Sequence, residues 1–122
     1  MQDAVQSAEE YVAAVPAGHR PLFERVDRLL RTGRDDLEVD LSYGILRYRR
    51  PGSARARRPA LHLGVWKHGV SLYGWSADHD GGFGARHPEL LSGRGTLKLS
   101  LARAGAVSDE DLTALFAAVL DG

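Results

Sequence analysis

Apolar and polar positions change period along the chain, and each change marks an element. After Ser7, the residues Ala8, Tyr11, Val12 and Val15 recur at helical spacing. Ser7 and Glu10 have the form of a capping box, and Pro16-Ala17-Gly18 ends the element. A second helix is expected from about Pro21, with Leu22, Val26, Leu29 and Leu30 as its apolar stripe and Gly33 as its stop. Whether these are two helices or one bent helix is left open by the pattern. From Leu37 the period falls to two. Leu37, Val39, Leu41 and Tyr43 alternate with Glu38, Asp40 and Ser42, the mark of a half-buried strand. Gly44 interrupts it as a bulge or bend, and Ile45 to Tyr48 either resume that strand or begin another.

Leu61, Leu63 and Val65, followed by Val70 and Leu72, form the clearest hairpin signal. A two-residue loop at His68-Gly69 sets Val65 opposite Leu72 and keeps both apolar sets on one face; a three-residue loop would split them. The other face then carries His62, Trp66, Tyr73 and Trp75. Residues 76–95 are rich in Gly, Asp and His, with a short helix expected near Pro88-Glu89-Leu90-Leu91. Leu97, Leu99 and Leu101 indicate one more strand. A final helix starts at Ser108, with Val107 and Leu112 placed as a hydrophobic staple and Leu115, Phe116, Val119 and Leu120 completing its stripe. The expected fold is therefore α+β: an antiparallel sheet of about four to six strands, packed with N-terminal helices and a C-terminal helix.

Length and composition narrow the function classes. A chain of 122 residues suits one domain, 1–122, and its 43% hydrophobic content is enough for a core. There is no cysteine, which excludes disulfides, thiol nucleophiles and iron–sulfur ligation by this chain alone. No apolar run has the length of a membrane span, and Met1-Gln2-Asp3-Ala4 lacks the features of a secretory signal, so a cytoplasmic location is expected.

The net charge is zero but unevenly spread: residues 1–40 hold nine acids and five bases, 41–58 hold six arginines and no acid, and 106–122 hold four acids and no base. A neutral total speaks against a dedicated nucleic-acid binder, and the arginine run 47–58 reads as a solubilising loop. No G-x-S-x-G, H-E-x-x-H, P-loop or G-x-G-x-x-G signature is present, so a binding module is expected ahead of an enzyme.

Four segments resemble the YdhG-like family. Val39-Asp40-Leu41-Ser42-Tyr43-Gly44-Ile45-Leu46-Arg47-Tyr48 resembles its "ISYGMPAY" segment, and Val65-Trp66-Lys67-His68-Gly69-Val70-Ser71-Leu72-Tyr73 its "FKNHISLYP" hairpin. Ser92-Gly93-Arg94-Gly95-Thr96-Leu97-Lys98-Leu99 resembles "SKGTIRF", and Glu10-Tyr11-Val12-Ala13-Ala14-Val15-Pro16 resembles "EYIAALP". The chain departs from the pattern at Leu46 and Gly74, where the family has proline, and at Arg94, where it has lysine. The resemblance implies a frataxin-like fold. It also implies a binding role, in some relatives that of an iron chaperone passing Fe²⁺ to an iron-accepting protein.

Three candidate sites follow. Glu9, Glu10, Asp35, Asp36, Glu38 and Asp40 are oxygen donors of the kind hard divalent cations take, although Arg25, Arg28, Arg31 and Arg34 interrupt the acidic half. Tyr43, Tyr48, Lys67, Arg94 and Thr96 would form a polar-aromatic pocket for a small anionic ligand if they lie together, the Gly-rich turn offering backbone N–H groups. Trp66, Tyr73 and Trp75 would form a partner surface if nothing covers them. Asp78-His79-Asp80 and His87 are explained by loop polarity, since their spacing fits no ligand pair on a helix.

Overall fold

A computed structural model of the chain describes residues 7–42, 44–49, 60–74, 80–91 and 96–120. Two short helices lead. α1 (Ala8–Ala13) is capped by Ser7, whose Oγ accepts the Glu10 N–H at 3.1 Å. Its last carbonyls are satisfied from outside: one guanidinium nitrogen of Arg20 donates to the carbonyls of Val12, Ala13 and Val15. α2 (Arg20–Arg31) is a separate helix with Pro21 in its first turn, and it buries Leu22, Phe23, Val26, Leu29 and Leu30. It ends at Gly33, which takes a φ of 76°, and at Arg34, which is 6% exposed and donates into the carbonyls of Leu30 and Thr32. Arg34, one of the arginines that break up the acidic half, thus has structural partners of its own.

The sheet is a simple antiparallel meander of β1 (Glu38–Ser42), β2 (Ile45–Arg49), β3 (Ala60–Trp66), β4 (Gly69–Tyr73) and β5 (Thr96–Ser100). Gly44 marks a turn between two strands, with Ser42 opposite Ile45 and a φ of 79° that suits glycine. The β3–β4 loop is Lys67-His68 rather than His68-Gly69, so Val65 faces Val70 and Leu63 faces Leu72. This differs from the expected register by two in pairing, which preserves the faces. The cause lies in β5: a Cβ on Gly69 would fall on the Leu99 carbonyl oxygen, so this glycine serves close strand approach. β5 stops at Ser100, leaving Leu101 in a turn and 43% exposed, with its N–H donating to the His68 carbonyl.

Register puts Leu41, Leu46, Leu63, Leu72 and Leu97 in one row across all five strands. Val39-Tyr48-Leu61 and Val65-Val70-Leu99 flank it, and every one of these is buried except Val39 and Leu41 on the edge strand and Val65 near the end of β3. Each buried leucine contributes about 2 kcal/mol by leaving water. α2 and α4 (Asp109–Leu120) pack on this face. α4 is capped by Ser108, which accepts the Asp111 N–H, and Val107 and Leu112 are both buried as the staple requires. A short α3 (Phe83–Arg86) and the turn Pro88–Leu90 sink Phe83 and Leu90 into the same core. Among the described residues, no helix is long and apolar enough to cross a membrane.

Candidate functional site

All core-forming helices lie on one side of the sheet, so the alternate residues of every strand project from the other. Across β1 to β5 these are Asp40, Arg47, His62, Tyr73 and Thr96 in one row. Ile45, Gly64, Ser71 and Lys98 form the next, and Trp66, Gly69 and Ser100 the last. Only the two glycines in this set are buried; the side chains are half-buried or exposed.

Aromatic groups order this face. The His62 and Tyr73 rings stack at 5.0 Å between centroids and 6° between planes, as a directly opposed cross-strand pair permits. Trp66 sits four residues further along β3. Lys98 Nζ lies 4.9 Å from the centre of its ring, although β4 runs between their strands. That contact spans roughly 9.5 Å of sheet, and it passes over Gly69 and Ser71, whose small size leaves the room. The edge of His68 meets the same indole at 5.1 Å. Behind the sheet, His19 Nε2 donates to the Trp66 carbonyl at 2.9 Å and the Val65 N–H donates to the Tyr11 hydroxyl, so α1 and α2 hold this end of β3 in place.

The charges are arranged asymmetrically. Arg47 grips Asp40 with two hydrogen bonds of 2.9 and 2.6 Å, and Arg49 pairs with Glu38 at 3.3 Å. The Arg47 hydrogen bond holds the Asp40 carboxyl below the usual aspartate range. Burial, helped by the Arg47 cation, holds His62 below the ordinary histidine range, which keeps that imidazole neutral. Both acids of the face therefore lie at the β1 edge and are paired. Between β3 and β5 the described face carries Lys98, and Lys67 in the adjoining turn, with no acid.

The sequence-derived candidates are dispersed over this frame. Trp66, Tyr73 and Thr96 do share the helix-free face. Tyr48 does not: it is fully buried on the helix side, and its hydroxyl donates to Asp27 Oδ1 at 2.6 Å. Lys67 lies in the turn beside Gly69, and Thr96 pairs with Tyr73 at the other end of β5, about 13 Å along the strand. Tyr43, Arg94, Trp75, the arginine-rich stretch 50–58 and Asp78-His79 lie outside the described residues.

Of the six acids, Glu9 and Asp40 line an open groove of about 750 Å³ between α1 and β1, floored by Val12, Val39 and Leu41. Asp35 and Asp36 stand in the connection before β1, and Glu38 is held by Arg49. Among the described residues, no three of His, Asp and Glu converge as a metal site would require. Ser71 and Lys98 are face residues that sequence reasoning passed over, the signal for Ser71 being its parity with Tyr73; Arg47 and Arg49, read as part of a solubilising loop, instead lie in β2 and pair with Asp40 and Glu38.

Compared with family models, with curated proteins and with solved structures, the chain shows no match to any.

Proposed function

We propose that this chain is a YdhG-like binding protein whose working surface is the helix-free face of its sheet. The observation that carries this reading is the set of partly exposed Trp66, Tyr73, His62 and Thr96 residues on a face that no described helix packs against. Large rings left partly in water on a rigid sheet favour contact with a partner. The resemblance to the YdhG-like family supports it independently, because the four matching segments occur in order along the chain. Iron delivery, which that resemblance also implies, has weaker support: Glu38 and Asp40 are engaged by arginines, and the remaining acids are scattered.

Two measurements test the reading. Tyr73→Ser should cost at most about 1 kcal/mol, the worth of one exposed cross-strand pair. Leu63→Ala, on the opposite face of the same sheet, should cost about 2–5 kcal/mol. Equal losses in urea unfolding would mean that Tyr73 is interior, and the surface would disappear. Anaerobic calorimetric titration with Fe²⁺ covers the other reading. Saturable micromolar binding that is lost on neutralising Glu9, Glu10, Asp35 and Asp36 would move the function to the acidic half.

A further inference from the structure

We infer that the helix-free face binds single-stranded nucleic acid, with the outer faces of the His62–Tyr73 pair as one stacking platform and the Trp66 ring as a second once Lys98 swings off it to meet a phosphate. The inference rests on the reading of that face as the binding surface and adds the class of ligand.

Three features of the face select this chemistry. First, the β3–β5 half holds π-faces, hydroxyls (Ser71, Thr96, Ser100) and the cations Lys98 and Lys67, and no acid among the described residues. A ligand that is both planar and anionic complements that set, and every nucleotide is both. Second, the platforms are separated. His62 and Trp66 are four residues apart on one strand, about 13 Å, which exceeds the span of a single base and suits bases two steps apart on an extended strand. Third, the strip between the platforms is low. Small residues at 64, 69 and 71 keep it shallow, and β4 approaches the backbone of β5 closely at Gly69.

A duplex, whose bases are already stacked on each other, offers such platforms little. The neutral total charge does not oppose the assignment, because phosphate contacts respond to local charge within about a Debye length of 8–10 Å, and both face acids are neutralised by Arg47 and Arg49 at the far edge.

The test uses the full chain and a fluorescein-labelled ten-nucleotide oligo(dT), followed by anisotropy at several salt concentrations. Oligo(rU), a duplex of equal length and thymidine monophosphate serve as comparators. The single strands should bind with an affinity that falls as salt rises. Tyr73→Ala and Trp66→Ala should each weaken binding about tenfold, and Trp66→Phe, which keeps a ring, should weaken it less. Lys98→Ala should weaken binding and lower the salt slope by about one. Arg28→Ala, which removes an exposed cation from the helix side, should change neither.

Absence of oligonucleotide binding at low salt overturns the inference, as do equal affinities for duplex and single strand. So does thymidine monophosphate binding as tightly as the oligonucleotide, or retention of full affinity without the rings. If oligonucleotides fail while Tyr73→Ser still leaves stability nearly unchanged, the nucleic-acid assignment alone falls and the reading of the face as an open surface stands. If Tyr73→Ser behaves as a core substitution, both readings fall together.

Discussion

The hydroxyl of Tyr48 donates a 2.6 Å hydrogen bond to Asp27, tying the middle of β2 to α2 through the core. Asp27 in turn accepts from Arg31 Nε at 2.9 and 3.0 Å, and the Arg31 guanidinium lies 5.9 Å from the Tyr48 ring centre. The phenol is fully buried, whereas the carboxylate is partly open to water. The two ends of the bond are therefore unequal. Tyr48→Phe leaves a carboxylate that still has Arg31 and solvent, and should cost about 1 kcal/mol. Asp27→Ala leaves a buried hydroxyl with no partner, and should cost about 1–3 kcal/mol. Urea unfolding of the two variants gives the order; a larger loss for Tyr48→Phe would contradict it.

The same pair sets an alkaline limit on stability. Burial first, and then the Asp27 charge, push the Tyr48 phenol well above the ordinary tyrosine range. The folded value lies above the unfolded one, so this group's contribution is fully present below about pH 10 and is lost as pH rises beyond it. Spectrophotometric titration should show one tyrosine that ionises only as the protein unfolds. Tyr48→Phe should remove that step; its persistence would assign the late phenol elsewhere.

Gly69 and Gly44 separate two reasons for a glycine. A Cβ at Gly69 would overlap the backbone of Leu99 and Ser100, so Gly69→Ala must push β5 away from β4, at about 1–3 kcal/mol or more. Gly44 has open space around the missing Cβ and a φ of 79°, so Gly44→Ala meets only left-handed strain, about 1 kcal/mol. Hydrogen exchange should show Gly69→Ala loosening β5 specifically. Uniform loss over the whole sheet would argue against a local collision.

These residues also show what could be read in advance. The stripe Leu22-Val26-Leu29-Leu30, the alternation through 61–72 and the Val107-Leu112 staple were legible because each is a local period. Tyr48 shares strand parity with Leu46, yet its polar tip invited a pocket reading; only α2 arriving above it, with Asp27, makes it core. The β3–β4 register was displaced because the reason for Gly69 lies on β5, some thirty residues later. Arg34 looked like an interruption in an acidic surface, and Arg20 gave no signal at all. Each reaches a set of helix-end carbonyls, a need that depends on where the helices stop. Trp66 and Tyr73 were placed on one face by parity alone, but Lys98 joined them only once β5 was known to flank β4.

Arg25 holds the approach to α4. Its Nε contacts Asp109 at 2.7 Å, Nη1 donates to the Ala104 carbonyl at 2.9 Å, and Nη2 donates to the Val107 carbonyl. One planar fork thus fixes the turn at Ala104–Ala106 and the first residue of α4 to α2. Arg25→Ala should destabilise by about 1–3 kcal/mol. Arg25→Lys should recover less than half of that, because a single ammonium cannot span three acceptors. Full rescue by lysine would reduce the interaction to simple charge pairing with Asp109.

Asp111 gives the acid limb of the stability profile. His87 Nε2 lies 2.6 Å from its Oδ2, and Arg86 Nε lies 3.3 Å from its Oδ1, so two residues that follow Phe83 clasp the first turn of α4. The His87 hydrogen bond foremost, and then the Arg86 charge, hold the Asp111 carboxyl below the ordinary aspartate range. A depressed folded value contributes stability above the unfolded pKa, near 4, and that contribution is lost as pH falls through the folded one. The stability gap between wild type and Asp111→Asn should therefore be full above about pH 5 and narrow steadily as pH falls below about 4. His87→Gln should show a shallower version of the same loss, because Arg86 still faces the carboxylate. Urea unfolding at stepped pH measures both, and a gap independent of pH would mean that the clasp on Asp111 does not depend on its charge.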